Sequence, residues 1–288
     1  MTLLSSAELD TLERLSLATR SRQAGFFAGD HRSRRFGSSV DFAEHREYRP
    51  GDDFRRIDAA LSARMDRLYM KLYEAEEDVP TRIILDTSAS MMLGTPQKSA
   101  LAGRIAAAFV FLALVRHDRA RLYAAGSGGM RASRWFRGRG SIHDAMRWIT
   151  ALPTGGTSGL SEALRAIREE GNPGLLVTVS DMLEPDWAQI ARRLAPPGEA
   201  ALVHLLAPDE LDPSLEGDLT LVDAETGNEV TLAADAATLR AYRARVDAFI
   251  DGVRSACTAR GIACASARSD EDLIALFQRA FRAQAVVR

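Results

Sequence analysis

The sequence predicts an α/β protein: a doubly wound, mainly parallel sheet flanked by helices, with an irregular N-terminal extension. Three observations predict it. From Val79 onward, short apolar runs alternate with amphipathic stretches, the order that winds a parallel sheet through βαβ units. Two of those runs, Gly174–Ser180 and Ala200–Leu206, are apolar almost without interruption, as strands buried on both faces are. The chain has 288 residues, 46% hydrophobic and 26% charged, which supplies a sizeable core and argues against disorder, collagen and coiled coil.

The elements follow in order. An opening helix is expected near Ala7–Gln23, and residues 1–78 otherwise lack sustained periodicity, reading as one segment that packs on the domain at 79–288. Between Arg20 and Lys71 stand 12 Lys+Arg against 8 Asp+Glu, with turn-formers at Gly25, Gly29, Gly37 and Pro50-Gly51. After the strand at Thr81–Asp86, the residues Leu101, Ile105, Phe109, Leu112 and Val115 recur at helical spacing. Strands over Leu122–Ala125 and Arg134–Phe136 come next, the second at a sheet edge because glycines and arginines flank it. Ile142, Met146 and Ile149 mark one helix. Leu160, Leu164 and Ile167 mark another, capped by Thr157 or Ser158 and closed by Gly171. Ala200–Leu206 is a further buried strand, and Asp218–Leu232 a hairpin closed by Thr226-Gly227-Asn228. A long helix carries Leu239, Tyr242, Val246, Phe249, Val253 and Cys257 on one stripe and ends at Gly261. Ile262–Ala267 and Leu273–Phe281 are the last strand and helix.

A net charge of −2 and a pI near 6.2 give no global drive toward nucleic acid or anionic membrane. Cys257 and Cys264 are too few for a disulfide framework, fall on apolar positions, and fit a reducing, cytoplasmic setting. The N-terminal residues lack the basic start and apolar stretch of a signal peptide. The longest apolar run, Ile105–Val115, is about half of the ~20 residues that span a bilayer, so no membrane span is expected.

The chemistry concentrates after the first buried strand. Asp86, Ser88 and Ser90 occupy alternate positions, which in extended backbone point the same way. They stand at the carboxyl end of a strand, where open α/β sheets bind ligands. Carboxylate and hydroxyl oxygens are hard donors that suit Mg²⁺ or Mn²⁺. Thr157, behind Gly155-Gly156, and Asp181, ending the strand before it, offer two more. Five oxygens leave one octahedral position for a carboxylate arriving from a partner. The same residues read alternatively as helix caps and turns.

The set Asp86-Thr87-Ser88-Ala89-Ser90, Gly155-Gly156-Thr157 and Ser180-Asp181 resembles the metal-ion-dependent adhesion site of von Willebrand factor type A domains. The stretch from Gly37 through Glu44, Arg46, Tyr48, Arg49-Pro50-Gly51-Asp52-Asp53, Arg55-Arg56-Ile57-Asp58 to Ser62, Arg64 and Lys71-Leu72-Tyr73 is similar to the signature of the bacterial domain of unknown function 58 family. An aromatic residue is usual after Ile-Asp in that signature, and Ala59 stands there in this chain. The resemblance implies a von Willebrand type A-like domain behind the signature. It also implies work alongside a MoxR-type AAA+ ATPase as an adaptor or chaperone-like factor. Many similar proteins begin with two transmembrane helices that this sequence lacks.

Arg46, Arg49, Arg55 and Arg56 interleave with Glu44, Glu47, Asp52, Asp53 and Asp58, which fits local ion pairs or protein docking better than phosphate binding. Partner contact is therefore assigned to Arg46, Arg49, Asp52, Asp53 and Arg55. It is assigned also to Trp135, an aromatic between arginines on the expected edge strand.

Enzyme patterns fit poorly. A dehalogenase-like phosphatase needs an Asp at position 88, Lys98-Ser99 lacks its preceding glycine, no G-x-S-x-G elbow occurs, and the five histidines are scattered. His204 reads as a core residue. The expectation is a non-enzymatic, metal-dependent protein-binding module. A metal-dependent hydrolase acting on a phosphoryl group and a metal-free scaffold remain the alternatives.

Overall fold

The computed structural model describes residues 3–15, 17, 42–50, 52, 54–73, 79–126, 129–171, 174–194, 198–284 and 286–287. The chain forms two compact units, residues 1–21 with 79–288, and residues 22–78. The larger unit therefore recruits the N-terminal residues, which the sequence had assigned to the extension. Their helix α1 (Ser6–Glu13) opens on a capping box between Ser5 and Glu8 and buries Leu12. It is shorter than the expected Ala7–Gln23, whose end lies outside the described residues.

In the smaller unit β1 (Phe42–Glu47) pairs antiparallel with β2 (Tyr69–Tyr73), and α2 (Ala59–Met65) lies between them in sequence. Asp58 caps α2 by accepting from the backbone N–H groups of Ala60 and Leu61, and its other oxygen meets His45 Nε2 at 2.9 Å. This part of the expected irregular segment is regular, because backbone pairing between strands 22 residues apart leaves no local periodicity to read.

The remaining elements belong to the larger unit. They are β3 (Thr81–Asp86), α3 (Lys98–Val115), β4 (Ala120–Gly126), β5 (Gly129–Ala132), α4 (Ile142–Thr150), α5 (Leu160–Glu169), β6 (Leu175–Ser180), α6 (Trp187–Arg193) and β7 (Glu199–Leu206). They continue with α7 (Pro208–Leu211), β8 (Gly217–Val222), β9 (Glu229–Ala234), α8 (Ala236–Thr258), β10 (Ala263–Arg268) and α9 (Leu273–Leu276), which runs on into a π-helical turn over Phe277–Phe281.

The six-stranded sheet has the order β10-β7-β6-β3-β4-β5, parallel throughout except for β5. Alternation along β3 sends Ile83 and Leu85 to one layer and Ile84 to the other. The first layer holds α1, α3 and α4 with Phe277 and Phe281, and the second holds α5, α6 and the C-terminal end of α8. This is the doubly wound α/β architecture that the sequence predicts.

Helix α3 is long and apolar enough to cross a membrane, yet 78% of it is buried inside this fold, where it serves as the central core helix. The expected edge strand at Arg134–Phe136 moves to β5. Ser133 interrupts pairing there by giving its hydroxyl to Leu122 N–H as acceptor, and only Phe136 regains a bridge, to Ala120. The stripe on α8 is buried fully only at Val253 and Cys257. Both cysteines are buried and free.

Phe109 on α3 stacks at ring-centroid distances of 5.1 Å on Phe277 and 5.3 Å on Phe281. Phe109→Ala should lower unfolding free energy by about 3–5 kcal/mol, measured by urea denaturation, through the cavity it leaves.

Candidate functional site

From β3 the chain proceeds to β4 and β5 on one side, then crosses back to β6 on the other and continues to β7 and β10. The order reverses at the β3/β6 seam, and open α/β sheets bind ligands beside the carboxyl ends of the strands at such a seam. Asp86 ends β3 there, and Ser180-Asp181 ends β6.

Asp86, Ser88, Ser90 and Asp181 are all buried. Asp86 is gripped from both strands: Oδ1 accepts from Ser88 N–H at 3.0 Å and Oδ2 from the Ser180 hydroxyl at 2.7 Å. The Ser88 and Ser90 hydroxyls lie 2.9 Å apart, brought together by a 3-10 turn that begins at Ser90 and not by the extended backbone expected from the sequence. Thr157 is exposed, but its loop is stitched to the same place. Gly155 N–H donates to Thr87 O at 2.8 Å and Ala89 N–H to Gly156 O at 2.9 Å. Gly155 and Gly156 both have positive φ, +123° and +69°, a conformation that glycine supplies without strain. The structure thus brings four of the five candidate oxygen donors together and holds the loop of the fifth against them.

Burial, and then the charge of Asp181, push the Asp86 carboxyl up to about 7. Asp181 is tied down differently. Its Oδ1 accepts from Leu183 N–H at 3.1 Å, its Oδ2 takes the ammonium of Lys98 at 2.7 Å, and its backbone carbonyl meets His204 Nε2 at 3.0 Å. Burial lowers His204 to about 4, so its ring is neutral near pH 7 and donates from Nε2, while Nδ1 has no partner among the described residues. Lys98 is wholly buried and also bonds Glu210, whose second oxygen caps Ala207 N–H.

Two further carboxylates complete the surroundings. Burial, opposed by the Ser158 hydroxyl, and then the charges of Asp186, Glu225 and Asp181 raise Glu184 above its ordinary value. Glu225, at the β8–β9 turn, is raised by burial; the Ser90 hydroxyl lowers it, Asp181 raises it, and the Ser158 backbone N–H lowers it. One oxygen each of Glu184 and Glu225 is shielded from solvent with no hydrogen-bond partner among the described residues. Sequence reasoning missed Lys98, Ser180 as a donor, Glu184, Glu210 and Glu225, whereas His204 is the core residue it was read as. Only Lys98 carried a signal, a charged residue beginning an otherwise apolar helix.

Hard oxygen donors, surplus negative charge and two orphaned buried carboxylate oxygens fit a divalent cation. Among the described residues no three carboxylate, imidazole or thiol groups form a metal cage by themselves. Hydroxyls from Ser88, Ser90 and Thr157 would have to complete the set.

The residues assigned to partner contact fare differently. Arg46 pairs with Asp52 at 2.8 Å, and the same Asp52 oxygen accepts Arg49 N–H at 2.9 Å, so these three build a turn. Arg55 is exposed, and Asp53 lies outside the described residues. Trp135 is no open patch: the guanidinium groups of Arg119, Arg82 and Arg121 stand 4.7, 5.4 and 5.8 Å from its ring. Arg82 and Arg121 in turn pair with Glu170. Arg82 sits near the start of β3, so this stack occupies the end of the strand opposite Asp86.

A family profile described as protein of unknown function DUF58 matches residues 44–248. An uncharacterised protein of Mycobacterium tuberculosis, Rv1480, is 30% identical over 277 residues, covering 94% of this chain and 86% of its own length. The chain belongs to the DUF58 family. A Mycobacterium bovis relative, the uncharacterised protein Mb1516, matches to the same extent. Among solved structures, the conserved hypothetical protein BatB from Bacteroides thetaiotaomicron is 16% identical with a TM-score of 0.41, covering 72% of this chain and 98% of its own. The SpRpn10 VWA domain is 13% identical with a TM-score of 0.39, covering 69% and 92%.

Two outcomes test this geometry. Lys98→Met should cost about 3–5 kcal/mol in denaturant unfolding, because it strands the buried Asp181 carboxylate. A folded-state pKa raised above the unfolded value gives stability that is present below about pH 4 and is lost as pH rises toward about 7. In chelator, the melting temperature of Asp86→Asn relative to wild type should therefore climb between about pH 4 and about pH 7 and level off above that.

Proposed function

We propose that this chain is a non-enzymatic, divalent-cation-dependent protein-binding module. One observation carries the reading: carboxylates and hydroxyls converge at the strand-order reversal, with more buried negative charge than Lys98 can balance. Asp86, Ser88, Ser90, Thr157 and Asp181 would hold Mg²⁺ or Mn²⁺. The bound ion supplies a positive charge on which the carboxylate of a partner can sit. The protein's own work is positioning. Ser180 and Ser88 N–H fix both oxygens of Asp86, and Lys98, Leu183 N–H and His204 fix Asp181, so neither carboxylate must reorganise when an ion arrives.

The partner proposed is a MoxR-type AAA+ ATPase, with this chain as its adaptor or chaperone-like companion in the cytoplasm. That assignment rests on the family resemblance, and the site contributes only the requirement for an acidic residue on the partner. A hydrolase reading finds support in Asp86, whose raised pKa suits a general base. Against it, Asp86 is buried, where a substrate's proton does not reach it.

Millimolar Mg²⁺ or Mn²⁺ should raise the melting temperature of the wild type, since a ligand that binds only the native state must stabilise it. Asp86→Ala should remove that shift and abolish Mg²⁺-dependent capture of the ATPase expressed alongside this chain. An unchanged wild-type melting temperature would favour the metal-free scaffold, and turnover of p-nitrophenyl phosphate lost in Asp86→Ala would favour the hydrolase.

A further inference from the structure

The β8–β9 ribbon has two chemically different faces. In its antiparallel register Leu219 stands opposite Leu232 and Leu221 opposite Val230, so alternation puts these four aliphatic side chains on one face, with Gly217 and Ala234 at its base. The other face carries Asp218, Glu229 and the Thr220 and Thr231 hydroxyls, 3.3 Å apart, with Val222 as its largest apolar side chain. The apolar face emerges from the domain as it rises toward the turn. Ala234 is buried and Leu219 and Leu232 are half-buried, whereas Leu221 and Val230 are 43% and 60% exposed. Each strand pairs on one side only among the described residues, which leaves both edges of the ribbon open. A two-stranded ribbon of this kind is marginal in water and gains from a third strand.

The charge of this ribbon is one-sided. Between Leu215 and Leu239 every ionisable side chain is acidic: Glu216, Asp218, Asp223, Glu225, Glu229 and Asp235. The acids just before them are neutralised locally, Glu210 by Lys98 and Asp212 by Arg243, but none of these six forms an ion pair among the described residues. This surplus selects among occupants. A second copy of the ribbon would set like charges side by side, and nucleic acid or an anionic membrane would be repelled in the same way. A segment that alternates aliphatic residues with lysine or arginine would instead continue both faces at once, its aliphatic side chains beside Leu221 or Val230 and its cations beside Asp218 or Glu229.

We propose that the β8–β9 ribbon is a docking edge for an extended basic segment of a partner protein. The segment adds as a third strand, with its aliphatic side chains on the face of Leu219, Leu221, Val230 and Leu232 and its cations on the face of Asp218 and Glu229. The turn keeps the ribbon in register for this without using either face: Asp223 Oδ1 accepts the N–H groups of Glu225 at 2.9 Å and Thr226 at 2.7 Å. This surface needs no bound ion, so it stands apart from the cation-binding reading above.

The test uses the full chain in chelator, so that its outcome is separate from that reading. Fluorescence anisotropy follows a labelled peptide of alternating valine and lysine, beside a valine–glutamate and a serine–lysine peptide. Wild type should bind the valine–lysine peptide, release it as salt rises from about 0.1 M to about 1 M, and bind the other two at least roughly tenfold more weakly. Leu221→Thr with Val230→Thr strips the exposed apolar pair while keeping residues that suit a strand, and Asp218→Asn with Glu229→Gln removes two charges. Each paired variant should bind the valine–lysine peptide at least roughly tenfold more weakly than wild type. Amides of β8 or β9 should gain hydrogen-exchange protection on binding, as pairing with a new strand requires. A valine–lysine peptide that wild type does not bind, or binds no better than both paired variants do, would overturn the proposal. Sedimentation showing wild-type self-association that Leu221→Thr with Val230→Thr abolishes would overturn it too and assign the face to a second copy.

Discussion

Like-charge repulsion at the β3/β6 seam is the constraint around which this molecule is organised. Asp86 and Asp181 end adjacent parallel strands, so the sheet register itself forces two carboxylates into one buried place. Each is stabilised by groups that come from elsewhere in the sequence: Ser180 reaches across to Asp86, Lys98 to Asp181, and His204 to the Asp181 carbonyl. The ammonium of Lys98 must serve Asp181 and Glu210 together, which leaves Asp86, Glu184 and Glu225 without a matching cation in the bonds around them. A fold that retains such a cluster spends stability on it, and sites that do so are usually sites of function.

The architecture explains why the cluster can exist. Reversal of strand order at β3 opens a crevice between two loops that diverge to opposite faces of the sheet. Backbone hydrogen bonds from Gly155 and Ala89 hold a third loop over it. The core beneath, with α3 on one side and α5, α6 and α8 on the other, is apolar and closely filled, so the polar groups are confined to the rim.

Several of the described arginines build structure. In the smaller unit the Arg46–Asp52 pair shapes the turn after β1, and in the larger unit Trp135 is a platform for three guanidinium groups that converge with Glu170. The planar guanidinium suits both tasks, since it stacks on an aromatic face while directing donors to a carboxylate at its edge.

The sequence by itself determined the layered α/β plan and the spacing of the oxygen donors, because both depend on short-range patterns. An apolar run ending in Asp-x-Ser-x-Ser puts Asp86 at a strand end and Ser88 and Ser90 in the loop that follows it. The β8–β9 turn and the helices marked by Ile142 and Leu160 were legible for the same reason. The tertiary structure alone decided the rest. Pairing of β1 with β2 and the shift of the edge strand to Gly129–Ala132 depend on partners distant in sequence or on a single interrupting serine. The fate of Trp135 was hidden by the same distance, since Arg82 and Arg119 reach it from other segments. Lys98 stands 83 residues from Asp181 and 112 from Glu210, and Glu225 comes to Ser90 from a separate hairpin. Residue types and local spacing mark which oxygens could gather at the strand end; only the folded chain brings Ser180, Lys98 and His204 from distant segments to hold them.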